Sequence, residues 1–206
     1  MNTINALKLA DFILATYPNK GITPMKLQKL AYYTKVWTLV AGKDFVRADF
    51  HKWDFGPVNQ DIYHAYKIYG GKTIPAVLRK HEETAKHQED ILLFILDNYI
   101  EFSAFQLSAM THNEEPWLKT PHDAVISDTL IFEYYSKQSF AKNFKNTKLQ
   151  EGPFHLLQND SWHSFTLDMS SEEAVALESY ISYDDFLTQS AKAEQESQEF
   201  FKELFL

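Results

Sequence analysis

The stretch from Ile22 to Tyr69 restricts this chain more than any other, because two helical patterns flank a short aromatic crossing that ends in Gly56-Pro57. Thr23 is a good N-cap, and Pro24 sits at the first helical position, where its missing N–H costs nothing. Behind them Leu27, Leu30, Ala31, Thr34 and Trp37 recur at helical spacing, which predicts one buried face. Gly42 is placed to end that helix. Phe50 to Phe55 alternate as a short extended piece would. Gly56-Pro57 is expected to break it and to open a second helix with Pro57 near N1, striped by Val58, Ile62, Ala65, Tyr66 and Tyr69 and stopped by Gly70-Gly71.

Upstream, Thr3 or Asn2 can cap a first helix carrying Ile4, Leu7 and Leu14, which Tyr17-Pro18-Asn19 ends. The short connector to Pro24 favours antiparallel neighbours. Downstream, Ile91, Leu92, Ile95, Leu96 and Tyr99 mark a fourth helix, and Ser103 can cap a fifth that closes near Thr111 to Trp117. Asp128 is expected to cap a sixth, with Phe140 and Phe144 further on. Leu156 to Leu167 reads as a hairpin, followed by helices capped near Ser170 and Asp184, the last running to Leu206. The expected fold is mainly α, a compact helical bundle of about six helices with one or two short antiparallel strand pairs. Residues 1–145 form its body and 146–206 a C-terminal extension of hairpin and acidic helices.

Composition enters where it excludes function classes. Among 206 residues there are no cysteines, so disulfides and thiolate chemistry are absent and a reducing cytosol suits the chain. The longest apolar run, Ile91 to Leu96, is too short to span a bilayer, and the start lacks the basic-then-apolar order of a signal peptide. A cytoplasmic location, away from membranes, is expected. Net charge is −8, and all of it resides after residue 167, where ten acidic residues meet two lysines; the rest of the chain is balanced. Such a distribution does not suit phosphate backbones, which call for clustered Lys and Arg, so nucleic acid is not an expected partner.

Reactive constellations are sparse. Of the eight histidines, His51 and His64, or His112 with Glu114, Glu115 and His122, could gather a metal, but no H-E-x-x-H spacing exists and structural zinc usually wants cysteine too. The simpler reading has His64 and His112 bonding backbone groups at helix ends. There is no G-x-S-x-G and no Gly-rich phosphate loop. No catalytic residue, cofactor or metal is therefore assigned, and an enzyme is not expected. The aromatic residues of the central stretch are mostly core by the same spacing argument, Trp37 and Trp53 above all. Some are candidates for a partner-binding face, since Tyr, Trp and Arg dominate interface hot spots and the tyrosine hydroxyls want polar company. These candidates are Tyr32, Trp53, Phe55, Pro57, Tyr63, His64, Tyr66, His112 and Trp117, together with Phe201 and Phe205 at the apolar tip of an acidic last helix. That last helix either folds back on the body or serves as an arm that docks a basic partner.

Four blocks in order carry a resemblance: K-L-Q-K-L-A-Y-Y at Lys26 to Tyr33, W-D-F-G-P-V at Trp53 to Val58, I-Y-H-A-Y-K at Ile62 to Lys67, and L-S-A-M-T-H-N-E-E-P-W at Leu107 to Trp117. The chain resembles the Panacea, or SocA-like, antitoxin domain of toxin–antitoxin systems, often phage- or prophage-associated, over roughly residues 3 to 140. Lys52 departs from the small residue more usual there. The resemblance implies an antitoxin that neutralises a cognate toxin by direct protein–protein binding, with a toxin of unspecified chemistry as partner. The alternatives are a proteolytic adaptor that delivers its partner to a cytosolic protease, a metal-dependent enzyme using His51, His64 and His112, and a prophage regulator without a toxin.

Overall fold

In the computed structural model, which describes residues 3–75, 84–145 and 154–157, Asn5 caps the first helix, its side chain accepting from the Lys8 amide at 2.9 Å. Thr3 and Asn2 do not serve, because residues 4 and 5 are drawn into a two-residue strand, β1 (Ile4–Asn5). Helix α1 (Ala6–Thr16) leads to α2 (Pro24–Val40), which opens as the sequence predicts with Thr23 as cap and Pro24 in the first turn. Then come β2 (Val46–Arg47), β3 (His51–Trp53), β4 (Gly56–Val58), α3 (Gln60–Tyr66) and a 3₁₀ turn at Lys67–Tyr69. The remaining elements are α4 (Lys86–Tyr99), α5 (Ala104–His112), α6 (Glu115–Lys119), α7 (Asp128–Tyr135) and a 3₁₀ stretch at Ser139–Phe144. The chain separates into two units, Met1–Ser164 and Phe165–Leu206, and every described residue lies in the first.

The molecule is mainly α with two small strand pairs. One pair differs from expectation: β1 and β2 run parallel, Ile4 opposite Val46, while only β3 and β4 are antiparallel. The hairpin expected over 156–167, the helices beyond Ser170, and Phe201 and Phe205 lie outside the described residues. No single helix among those described is long and apolar enough to cross a membrane; one sharply bent pair, α4 with α5, meets the length and composition test, and its apolar side chains line the protein core.

Helix α2 is the hub. It packs on α1, α4, α5, α7 and both strand pairs, and every residue from Lys26 to Thr38 is buried. The one-face expectation therefore fails here. The polar residues off that face are also inside, each with a partner: Gln28 on Asn59, Lys29 on Pro57, Lys35 on Asp128 and Thr38 on a carbonyl one turn back, as Thr34 of the expected face also is. A polar group can be buried at tolerable cost only when it is hydrogen-bonded, so the helix reads amphipathic and behaves as a core helix. Around it lies an aromatic cluster. Tyr33 stacks on Tyr99 at 4.3 Å, the Trp37 indole donates to the Tyr99 hydroxyl at 2.6 Å, and Trp37 meets Phe140 edge-on at 4.9 Å.

Further helix starts follow local chemistry. Ser103 makes a reciprocal capping box with Gln106. Ser127, one residue before the expected Asp128, caps α7, leaving Asp128 in the first turn where it also meets Lys35 at 3.0 Å. Gly56-Pro57 does not open a helix: both residues belong to β4, and α3 begins three residues after Pro57, at Gln60, capped by Asn59.

A clamped hairpin and the candidate docking cleft

Trp53 pairs with Gly56, so the β3–β4 hairpin turns through Asp54 and Phe55 alone. Gly56 leaves the turn at φ +96°, a conformation that side chains with a Cβ rarely adopt, and a Cβ there would come within 2.6 Å of the Thr111 hydroxyl and 2.7 Å of the Lys29 ammonium. The backbone of the hairpin thus rests directly on α2 and α5.

Side chains from both helices fix it in place. From α2, Gln28 exchanges two hydrogen bonds with the Asn59 backbone, at 2.9 and 2.8 Å, and Lys29 donates to Pro57 O at 3.0 Å. From α5, Ser108 donates to Phe55 O at 3.0 Å. His112 points Nδ1 at Ser108 O, 2.6 Å away, and Nε2 at Asp54 O, 2.7 Å away; a neutral ring can donate through one of these nitrogens, a protonated ring through both. Trp117 donates from its indole to Trp53 O at 3.2 Å and lies against the His112 ring. Lys52 places its ammonium 4.3 Å above the Trp117 ring. On its other edge β3 bonds residues 123–126: Lys52 N donates to Ala124 O, Asp123 N to Lys52 O and Ile126 N to Phe50 O. Three of the four blocks read from the sequence meet at this hairpin, and Tyr63 of the remaining one packs edge-on against Trp53 at 4.9 Å.

Beside the hairpin opens a cleft of about 610 Å³, walled mainly by Met25, Trp53, Phe55, Val58 and Tyr63, with Lys29 at its base and Lys67, Asp54, His122 and Asp123 also lining it. Phe55 is 61% exposed and Tyr63 39%. Among the described residues these are large hydrophobic side chains left in water on a rigid support, the usual make-up of a contact surface.

Residues 27–118 match the family model described as antitoxin SocA-like, Panacea domain. This segment is a SocA-like Panacea domain. Searches of curated proteins and of solved structures give no match. The matched span is shorter than the 3–140 read from the sequence: it contains the hub helix from Leu27 onward, the hairpin and α5, while α1 and α7 pack on the hub helix from outside the span.

Within the Panacea domain the candidate residues divide. Phe55, Tyr63 and His64 are exposed, and His64 adds its ring beside Tyr63. Trp53, His112 and Trp117 are half-buried and hold the hairpin. Tyr32 is a correction: it is fully buried beside Tyr33, Phe50 and Tyr135 and presents nothing to a partner. Tyr66 is likewise buried, its hydroxyl donating to Asp11 at 2.8 Å, and Pro57 is buried beneath the hairpin. Both follow from the hub helix being covered on every side. His51, His64 and His112 do not converge. His51 Nδ1 faces Asp123 O, His112 is committed to two carbonyls, and among the described residues no group of three or more His, Asp or Glu is placed to hold a metal.

Of two buried charged residues, Lys29 escaped the sequence reading and Glu114 entered it only as a possible metal ligand. Lys29 is 1% exposed, and burial pushes its ammonium down to about 7. Glu114, in the H-N-E-E-P-W block, accepts from the Tyr33 hydroxyl at 3.0 Å on one oxygen and from the Tyr135 hydroxyl on the other. Burial pushes its carboxyl up to about 8, against the opposite pull of those two hydroxyls. Both lie inside blocks quoted for the resemblance, but nothing in their spacing separates a buried lysine or glutamate from a surface one.

Proposed function

We propose that this chain is an antitoxin that neutralises a cognate toxin by binding it directly, in the cytoplasm and without catalysis, and that the toxin docks on the hairpin tip and its cleft. An antitoxin role in general is what the family match supports. The observation that carries the docking face is the exposure of Phe55, on a hairpin clamped from two helices, beside Tyr63 of α3. A rigid aromatic anchor loses little conformational entropy on binding, so its contact area converts efficiently into affinity. The test is co-expression with the product of each adjacent reading frame, followed by affinity capture. The expected result is one product that stops growth alone, is tolerated with this chain, and co-purifies with it, whereas Phe55→Ala combined with Tyr63→Ala releases it. Growth arrest that persists with every neighbour, or capture indifferent to the double substitution, would remove the respective half of the proposal.

A further inference from the structure

The floor of the cleft has more hydrogen-bond donors than acceptors. Lys29 Nζ carries up to three hydrogens and gives one to Pro57 O; among the described residues no carboxylate lies within ion-pair distance of it. The Trp53 indole N–H is buried with no acceptor. A buried donor without a partner costs about 1–3 kcal/mol, so the Trp53 indole, lining one cleft with an ammonium that has hydrogens to spare, favours a ligand that brings acceptors.

The surrounding electrostatics agree. Helix α2 begins at the cleft wall with Pro24 and Met25, and its first turn contains no acidic residue to offset the positive helix end. Lys26, one turn from Lys29, is also nearly buried, and burial lowers its ammonium from the ordinary value. The carboxylates that line the cleft, Asp54 and Asp123, belong to exposed residues at its rim; the Asp54 side chain is 82% exposed and pairs with His122 at 3.2 Å.

Phe55 and Tyr63 decide what kind of molecule carries the acceptor. A free metabolite is normally enclosed over most of its surface. This cleft is open, with an exposed aromatic at its lip, and suits a side chain delivered by a larger body that then covers Phe55. We infer that the cleft receives an acidic side chain of the toxin flanked by an apolar residue, the carboxylate on Lys29 Nζ and the Trp53 indole N–H and the apolar neighbour between Phe55 and Tyr63. This rests on the docking reading above and names the chemistry that the docking face selects.

The experiment uses the ¹⁵N-labelled full chain titrated with N-acetyl-phenylalanyl-glutamate amide and, separately, its glutamine counterpart. The Trp53 indole resonance, assigned by its loss in Trp53→Phe, is the readout. The expected result is a saturable shift with the glutamate peptide and about tenfold weaker binding of the glutamine peptide, as befits the loss of charge-assisted hydrogen bonds. Lys29→Met is expected to abolish the difference; if that variant does not fold by circular dichroism, the comparison of the two peptides on the parent chain decides alone. No saturable shift, equal binding of both peptides, or an unchanged preference in folded Lys29→Met overturns the inference. Failure of the two readings is separable. Toxin capture undiminished in Lys29→Met, with no peptide bound, removes the carboxylate and leaves the docking face. Peptide binding without any capturable toxin removes the toxin as its source.

Discussion

Gly56 shows how little freedom the hairpin has. Its φ of +96° and the 2.6–2.8 Å approaches to Thr111 and Lys29 mean that Gly56→Ala must both strain the backbone and displace a buried ammonium. Strain of this kind costs about 1–3 kcal/mol and overpacking a similar amount. Chemical denaturation of Gly56→Ala should therefore show a loss of about 2–6 kcal/mol, summing those two costs; a loss below about 0.5 kcal/mol, within the range of ordinary surface substitutions, would contradict the packing described. His112 is the second such residue. His112→Phe keeps a ring against Trp117 but removes both contacts to carbonyl oxygens, and should cost about 1–3 kcal/mol while making amide exchange in Trp53 to Phe55 faster. Exchange unchanged at those amides would show that Ser108 and Trp117 hold the turn unaided.

The hairpin as an element separates stability from binding. Phe55 has most of its surface in solvent, so Phe55→Ala should leave the unfolding free energy within about 0.5 kcal/mol of the parent. Its effect belongs to toxin capture, where loss of an aromatic anchor commonly exceeds 1 kcal/mol, about a fivefold rise in Kd measured by calorimetry. Sequence and structure agree unevenly at this scale. Ser103 and Thr23 cap the helices expected of them, since a hydroxyl before an apolar run has one good use. Gly56-Pro57 misleads because Pro is as acceptable in a short edge strand as at a helix start; what distinguishes them is Lys29 reaching across from α2 to Pro57 O, a contact 28 positions away in sequence. Tyr66 misleads for a related reason, whereas Tyr32 is buried although its hydroxyl makes no hydrogen bond. A tyrosine hydroxyl usually finds a polar partner when buried, and Asp11 gives Tyr66 one inside the protein, which no spacing rule reveals. Tyr63, by contrast, follows the buried Ile62 and so faces away from the core, whereas Phe55 is exposed because it sits in the two-residue turn of the hairpin.

For the whole molecule, Lys29 and Glu114 impose a pH signature. Unfolded Lys29 keeps its proton to about 10.5 and folded Lys29 only to about 7, so between these values the unfolded state binds more protons and stability rises with pH. Unfolded Glu114 loses its proton near 4.5 and the folded residue near 8, so between those values the folded state binds more and stability falls as pH rises. Each slope approaches about 1.4 kcal/mol per pH unit. Together the two groups dig a trough between about pH 7 and 8. Urea unfolding across pH should show the acid-side fall diminished in Glu114→Gln and the alkaline-side rise diminished in Lys29→Met; parallel curves for parent and variants would mean that neither group changes its proton affinity on folding. The hairpin is also the meeting place of residues far apart along the chain: Gln28 and Lys29 from one side, Ser108 and His112 from another, and the segment 123–126, the furthest along the chain. During synthesis, then, the clamped hairpin that presents Phe55 can be assembled only after Ile126 has left the ribosome, and a chain interrupted earlier would lack that surface.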